Sequence, residues 1–413
     1  EFTIESGFDG NYLFTVGDNG CGDFIGCMDE SASNYNADAI QDDGTCEYAP
    51  VVPVVVVTPS YTAPTTYAFT DDDGNNTVSY GGQTIRLEMM GEMTTYMKTA
   101  NTAGNSVSAL TLKDMYANNG YTWTDAPGLG MTGSTKQLKS KTAEGDAGIQ
   151  AMFEGYMDSI GAISATTTTG VENGAPGTAG VYPNDGVKGP YLMSANGVEY
   201  TQLIEKGLMC AVFMNQMTVN YLGGLSTDDN SAASDPSAGK YYTEMEHHWD
   251  EAYGYFTSAV DYPTSGTDRF WGKYANSRES LLSTATKIGD AFRLGRAAIS
   301  NDDYTVRDAQ AAIIRNEMEK VCAGTAIHYL NDAKANIGDV TARNHFVSEA
   351  VAFLEGLKYG YNAISGAGMS SAQIDVALAF IGDDYNSVTL ANLQSAIDEI
   401  ANNTGLSSVA ANL

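Results

Sequence analysis

Beyond residue 80 the apolar positions recur at three- and four-residue spacing. In "GQTIRLEMMGEMTTYMKTA" (82–100), Ile85, Met89, Met93 and Met97 stand four apart and fall on one helical face. The same period runs through 107–118, 146–162, 198–222, 240–260, 275–300, 305–336, 342–364, 371–382 and 388–403. These segments predict an all-α body, a helical bundle built as one or two packed bundles. Two polar stretches interrupt it. Residues 163–197 are rich in Thr, Gly, Asn and Pro, and 223–240 in Asp and Ser. Loops of this length in a compact body are functional or are surface excursions.

The start of the chain follows a different rule. "EFTIESG" and "NYLFTVG" alternate apolar and polar residues around "FDGN", which predicts two strands and a turn. Residues 50–66, "PVVPVVVVTPSYTAPTT", hold prolines 50, 53, 59 and 64, which exclude helix and favour extended backbone. Two readings stand for this segment. It is a stiff linker, or its Val run adds as a strand to a sheet edge in this chain or another. The expected organisation is an N-terminal strand and disulfide module (1–49), an extended linker (50–66) and a helical body (67–413).

Charge narrows the partners. With 21 Lys+Arg against 51 Asp+Glu, net −30, the chain repels nucleic acid and anionic lipid. Only 17% of its residues are charged, against roughly 25% in an average soluble protein. Asn, Thr, Ser, Gly and Tyr must then make the surface polar, an extracellular style. No apolar run approaches the roughly 18 residues of a membrane span. Opening on Glu1 without a leader, the chain reads as the mature form of a secreted or cell-surface protein.

Of five cysteines, Cys21, Cys27 and Cys46 lie in a segment too small and polar to hold itself with a core. That density favours a disulfide module and an oxidising compartment. Zinc is the rival reading, but no C-x-x-C pair and no nearby His support it. Cys210 ("GLMCAVFM") and Cys322 ("MEKVCAGTAIHYL") lie in apolar surroundings and read as buried free thiols.

"GCMDESASNYNADAIQDDGTCEY" (26–48) resembles a Cys-framed repeat of secreted Bacteroidota proteins, G-C-x-D, N-Y-N, D-D-G-x-C. The resemblance implies a Cys27–Cys46 disulfide, which would stabilise by about 3 kcal/mol for its loop length; the partner of Cys21 stays open. Asp29, Asn34, Asn36, Asp42 and Asp43 are dense oxygen donors, read either as a calcium site or as Asx turns. The body is similar to a Bacteroidota lipoprotein family, the domain of unknown function 4856. The blocks that carry the similarity are "YAFTDDDGNNTVSYGGQTIRLEMMGEM", "KGLMCAVFMNQMTVNYL", "HHWDEAYGYF", "GDAFRLGRAAI" and "HFVSEAVAFLEGLKYG", across about 67–361. The resemblance implies a secreted or surface-anchored helical protein. Family members accompany imelysin-like proteins and outer-membrane receptors, which implies a setting in iron or haem uptake.

"EMEHHWDEAYGYF" (244–256) holds two of the four histidines. On an ideal helix Met245, Trp249, Ala252, Phe256 and Ala259 form the core seam. Glu244, His248, Glu251 and Tyr255 form a stripe beside it; His247, Asp250 and Gly254 point to solvent. In 342–361 the seam is Phe346, Ala350, Phe353 and Leu357, and His345 and Glu349 lie on a flank. Two readings follow. His248, Glu251 and Glu244 face His345 and Glu349 across the bundle as a transition-metal site, or the same groups form a structural polar network. His248-x-x-Glu251 resembles the imelysin G-x-H-x-x-E motif, with Glu246 in place of glycine. Arg293 and Arg296 either pair with body carboxylates, the favoured reading given 51 acidic residues, or hold an anion. No H-E-x-x-H, G-x-S-x-G or P-loop is present. The expected function is a non-enzymatic binding protein, with metal or haem acquisition in view. The alternatives are an assembly protein whose N-terminal strands or Val run join neighbouring subunits, and a metal-dependent hydrolase; the partners in view are a second copy, through the N-terminal region, or an outer-membrane receptor.

Overall fold

The computed structural model describes residues 59–413 apart from 126–129 and 265–268, and the short stretches 3–6, 12–15, 25–28, 35–37, 39–42 and 44–45. The chain divides into two units, Glu1–Ser60 and Tyr61–Leu413.

In the first unit β1 (Thr3–Ser6) pairs antiparallel with β2 (Tyr12–Thr15), Ile4 opposite Phe14. β3 (Ile25–Gly26) runs parallel to β4 (Gln41–Asp42). Asn36 closes a turn beneath them. Its N–H donates to the Cys27 carbonyl at 2.9 Å, and its side chain lies 3.1 Å from where a Cβ on Gly26 would stand. Cys27 is buried and disulfide-bonded. Cys21 and Cys46, the calcium candidates Asp29, Asn34 and Asp43, and the Val run lie outside the described residues.

The second unit is all-α, with one small antiparallel sheet among its described residues. Its helices are α1 (Gly81–Lys98), α2 (Ala109–Ala117), α3 (Ala147–Ser164), α4 (Tyr200–Leu208), α5 (Leu222–Gly224), α6 (Glu244–Phe256) and α7 (Phe270–Ser277). There follow α8 (Glu279–Leu282), α9 (Thr284–Ser300), α10 (Tyr304–Ala335), α11 (Val340–Gly356), α12 (Tyr361–Ser365), α13 (Ser371–Ile381) and α14 (Leu390–Thr404). The long loop 163–197 carries β5 (Gly180–Tyr182) and β6 (Tyr191–Met193), with Val181 opposite Leu192. Strands this short left no period to read.

The axis of the body is the continuous helical run 200–224. Residues 201–218 are all buried, so the run is surrounded on every side. Two π-helical turns, Met209–Met214 and Gln216–Tyr221, widen it and reset which side chains face which neighbour. Asn215 there donates to the Tyr359 carbonyl at 3.0 Å. The 32-residue α10 packs on α9, α11 and α14, while α11 packs on α4 and α13. The axis is also met by α6 at its second π turn and by α3 and α1 at α4. Buried tryptophans lock these crossings. Trp249 donates to the Phe292 carbonyl at 3.0 Å and Trp271 to the Met209 carbonyl at 3.0 Å, so each ring is packed with its one polar atom paired.

The body begins before residue 67. Tyr61 donates to Asp303 at 3.0 Å and the Tyr67 N–H to the Val260 carbonyl at 2.7 Å, which ties the end of the Pro-rich segment to the helices.

Candidate functional site

Thr243 starts α6 with a capping box. Its hydroxyl accepts from the Glu246 N–H at 3.1 Å, and the Glu246 carboxylate accepts from the Thr243 N–H at 3.0 Å. The expected seam is buried: Met245, Trp249, Ala252 and Phe256. The face expected in solvent is covered as well, Asp250 and Gly254 being buried and His247 half-buried, and here the expectation is corrected. Residues 67–80 cross it. Asp250 is wholly buried, and a Cβ on Gly254 would stand 2.5 Å from Tyr80. Asp250 accepts from Tyr67 Oη at 2.8 Å, the Ser79 N–H at 3.0 Å and Arg296 Nε at 3.0 Å. Arg296 also reaches Glu246 at 2.5 Å and Thr77 at 3.0 and 3.2 Å. The guanidinium thus carries two buried carboxylates. Burial alone would lower its pKa, but Asp250 and Glu246 outweigh that and raise it. Arg293 pairs with Asp290 and donates to the Tyr262 carbonyl at 2.8 Å.

The two adjacent histidines separate. His247 is half-buried, stacked on Tyr242 at 4.5 Å, with Nδ1 3.0 Å from the Ser79 carbonyl oxygen. Its Nε2 lies 3.9 Å from Glu251, which accepts from Gln83 at 2.8 Å. Burial lowers the His247 pKa below the ordinary value, against the pull of Glu251. So Glu251 sides with His247. Helical side chains lean toward the N-terminus, and His248 leans one turn back, toward Glu244. There it meets Asp228, whose carboxylate lies 2.8 Å from His248 Nδ1.

Asp228, Glu244 and His248 offer ligand atoms that all lie within 4.8 Å of one another. The loop that brings Asp228 is built onto α6. Glu244 accepts from the Asp229 N–H at 3.1 Å, and the Met245 N–H donates to the Asp229 carbonyl at 3.2 Å. Asn230 accepts from Thr243 Oγ1 at 2.7 Å and donates to the Ile299 carbonyl at 2.9 Å. Beneath the imidazole lies the Tyr221 ring, 5.7 Å away. Asp228 and His248 are half-buried and Glu244 is exposed, so the cluster opens to solvent on the Glu244 side.

His345 and Glu349 stand together elsewhere. His345 Nδ1 is 2.7 Å from Glu199 and Nε2 is 3.5 Å from Glu349, with the ring stacked on Tyr191 at 4.2 Å. Lys206 bridges Glu205 at 3.0 Å and Glu349 at 3.7 Å, and Lys98 reaches Glu205 at 3.2 Å. Among these Glu199, Glu205, Lys206, His345 and Glu349 are all buried. Three carboxylates therefore face two ammonium groups, and a protonated His345 balances them. Burial would lower the His345 pKa, but the charge and hydrogen bond of Glu199, with Glu349 behind, raise it overall. Burial lifts Glu349 above the ordinary carboxylate range, more than Lys206 and His345 lower it.

The two predicted sets do not face each other. α6 packs on the second π turn, α1 and α9, whereas α11 packs on α4, α10 and α13. Among the described residues, Asp228, Glu244 and His248 are the one group of three or more His, Cys, Asp or Glu that could hold a metal ion. Asp228 and Glu199 were not foreseen. Asp228 sits in the Asp/Ser-rich loop 223–240, whose length was the available signal; Glu199 precedes α4 and carries none. His328 is half-exposed, 3.6 Å from Asp332.

The molecule is thus a helical body with a surface His–carboxylate cluster and a separate N-terminal unit. Residues 64–407 match the family described as "Domain of unknown function (DUF4856)", and the chain belongs to that family. Comparison with curated proteins and with solved structures finds no match. None of the described helices is long and apolar enough to cross a membrane.

Proposed function

We propose that this chain is a non-enzymatic binding protein of the cell exterior, and that its body binds a divalent transition metal at Asp228, Glu244 and His248. The observation that carries this reading is the convergence of the three donors from a loop and a helix, on a rim open to water. Donors about 2.1 Å from a shared ion stand about 3.4 Å apart in a tetrahedral shell, so small rotamer changes suffice. Imidazole with carboxylate suits zinc, manganese or ferrous iron. The open side leaves coordination positions for water or a carried ligand, which fits capture and release. The exterior location rests on the Cys27 disulfide, which needs an oxidising compartment, and on the low charged fraction. A Bacteroidota surface protein in metal or haem acquisition agrees with both.

Equilibrium dialysis of the full chain against zinc, manganese and ferrous iron, with elemental analysis, tests the reading. One ion per chain is expected, lost in His248→Ala and Asp228→Asn and kept in His345→Gln. Stoichiometry unchanged by the first two substitutions would refute it.

A further inference from the structure

Two thiols of the body are neighbours. Cys210 lies on the first π turn of the central helical run and Cys322 in the middle of α10; both are wholly buried and free. Their sulfurs rest against the same turn of α11. Cys322 Sγ donates to the Phe353 carbonyl at 3.2 Å. Cys210 Sγ fills the space beside Gly356, 2.3 Å from where a Cβ would stand. Phe353 and Gly356 are three residues apart and share a helix face. Cys210 also stands close enough to Cys322 to raise the pKa of its thiol, behind the larger effect of burial. Three helices meet here, and the glycine is what lets the sulfur in.

We infer that Cys210 and Cys322 are a second disulfide site of this chain, joined when it folds in an oxidising compartment. The same folding environment that oxidises Cys27 meets this pair. The oxidant is an external disulfide, either that of a dithiol oxidase or a small-molecule disulfide. The Cys210 thiolate attacks one of its sulfurs and expels the other as a thiolate. The Cys322 thiolate then attacks Cys210 Sγ in the mixed disulfide and expels the second. Two protein thiols become one disulfide, the oxidant becomes two thiols, and the protons released by the cysteines are taken up by the departing thiolates. In the closed body both sulfurs are buried and burial keeps the Cys322 thiol protonated. Exchange therefore precedes closure of α10 and α11. The bond would tie the central helical run to α10 across the sequence between them.

The full chain is refolded in a glutathione redox buffer, alkylated in denaturant and digested with and without reductant for mass spectrometry. The expected product is a Cys210–Cys322 linked peptide pair, two hydrogens lighter than its parts and lost on reduction. Both cysteines carrying the alkyl label in chains whose Cys27 is oxidised would overturn the inference. In Cys322→Ser, Cys210 should be recovered alkylated or as its mixed disulfide with glutathione, since the resolving thiol is gone; a Cys210 joined to another cysteine of the chain would also overturn it.

Discussion

Replacing Arg296 with Met keeps most of the side-chain volume and removes the cation shared by Asp250 and Glu246. Arg296 is wholly buried, so water cannot take its place. Asp250 would keep Tyr67 and Ser79 as donors, and Glu246 would keep Ser300 and the Thr243 N–H. Their charges would be stranded. Removing one partner of a buried ion pair costs about 3–5 kcal/mol. The contacts of Arg296 with Thr77 also pin the 67–80 segment over α6, so its loss adds to the same side. With a urea slope of about 3 kcal/mol/M, the midpoint should fall by about 1–1.7 M. Tryptophan fluorescence is a clean readout, because Trp123, Trp249 and Trp271 all lie in the second unit. The deficit should shrink on acidification, as the stranded carboxylates take up protons. Combining Arg296→Met with Asp250→Asn and Glu246→Gln should recover most of it, since no charge is then left alone. A single variant within about 1 kcal/mol of the parent would refute the network as a buried charge balance. So would a triple variant as unstable as the single.

His345 has a folded pKa above that of free imidazole, so its contribution is complete below about pH 6.5 and is lost as pH rises through the folded value. The urea midpoint should fall from pH 6.5 to 9, and His345→Gln should flatten that fall; parallel pH profiles would refute it. Gly295→Ala places a Cβ 2.1 Å from the Trp249 ring and should cost about 1–3 kcal/mol or more. Gly223→Ala meets only Arg315 at 3.7 Å, so thermal unfolding should show it unchanged or slightly more stable. Thr243→Ala removes the α6 cap and the bond to Asn230, which should cost about 1–2 kcal/mol in urea unfolding. It should also weaken metal retention in dialysis, because the Asp228 loop loses one anchor.

The helices were legible because each keeps an apolar seam whatever it packs against. α1, α10 and α14 stand within a few residues of their periodic segments, and the Thr243–Glu246 box is written in the letters that precede α6. The strand pair at the start of the chain was readable for the same local reason. What lies on a helix's other faces was not. Asp250 and His247 look the same in sequence whether they meet water or a crossing chain, and residues 67–80 made that choice. The partner of His248 comes from a loop twenty positions earlier, and the partner of His345 from 146 positions earlier. By itself, then, the sequence determined the helical body, its main breaks and the distinct N-terminal unit, because hydrophobic period and turn chemistry act over a few residues. Only the tertiary structure decided which carboxylate each histidine meets and which charges are buried. Those pairings depend on which surfaces the packing brings together, and no local pattern encodes that.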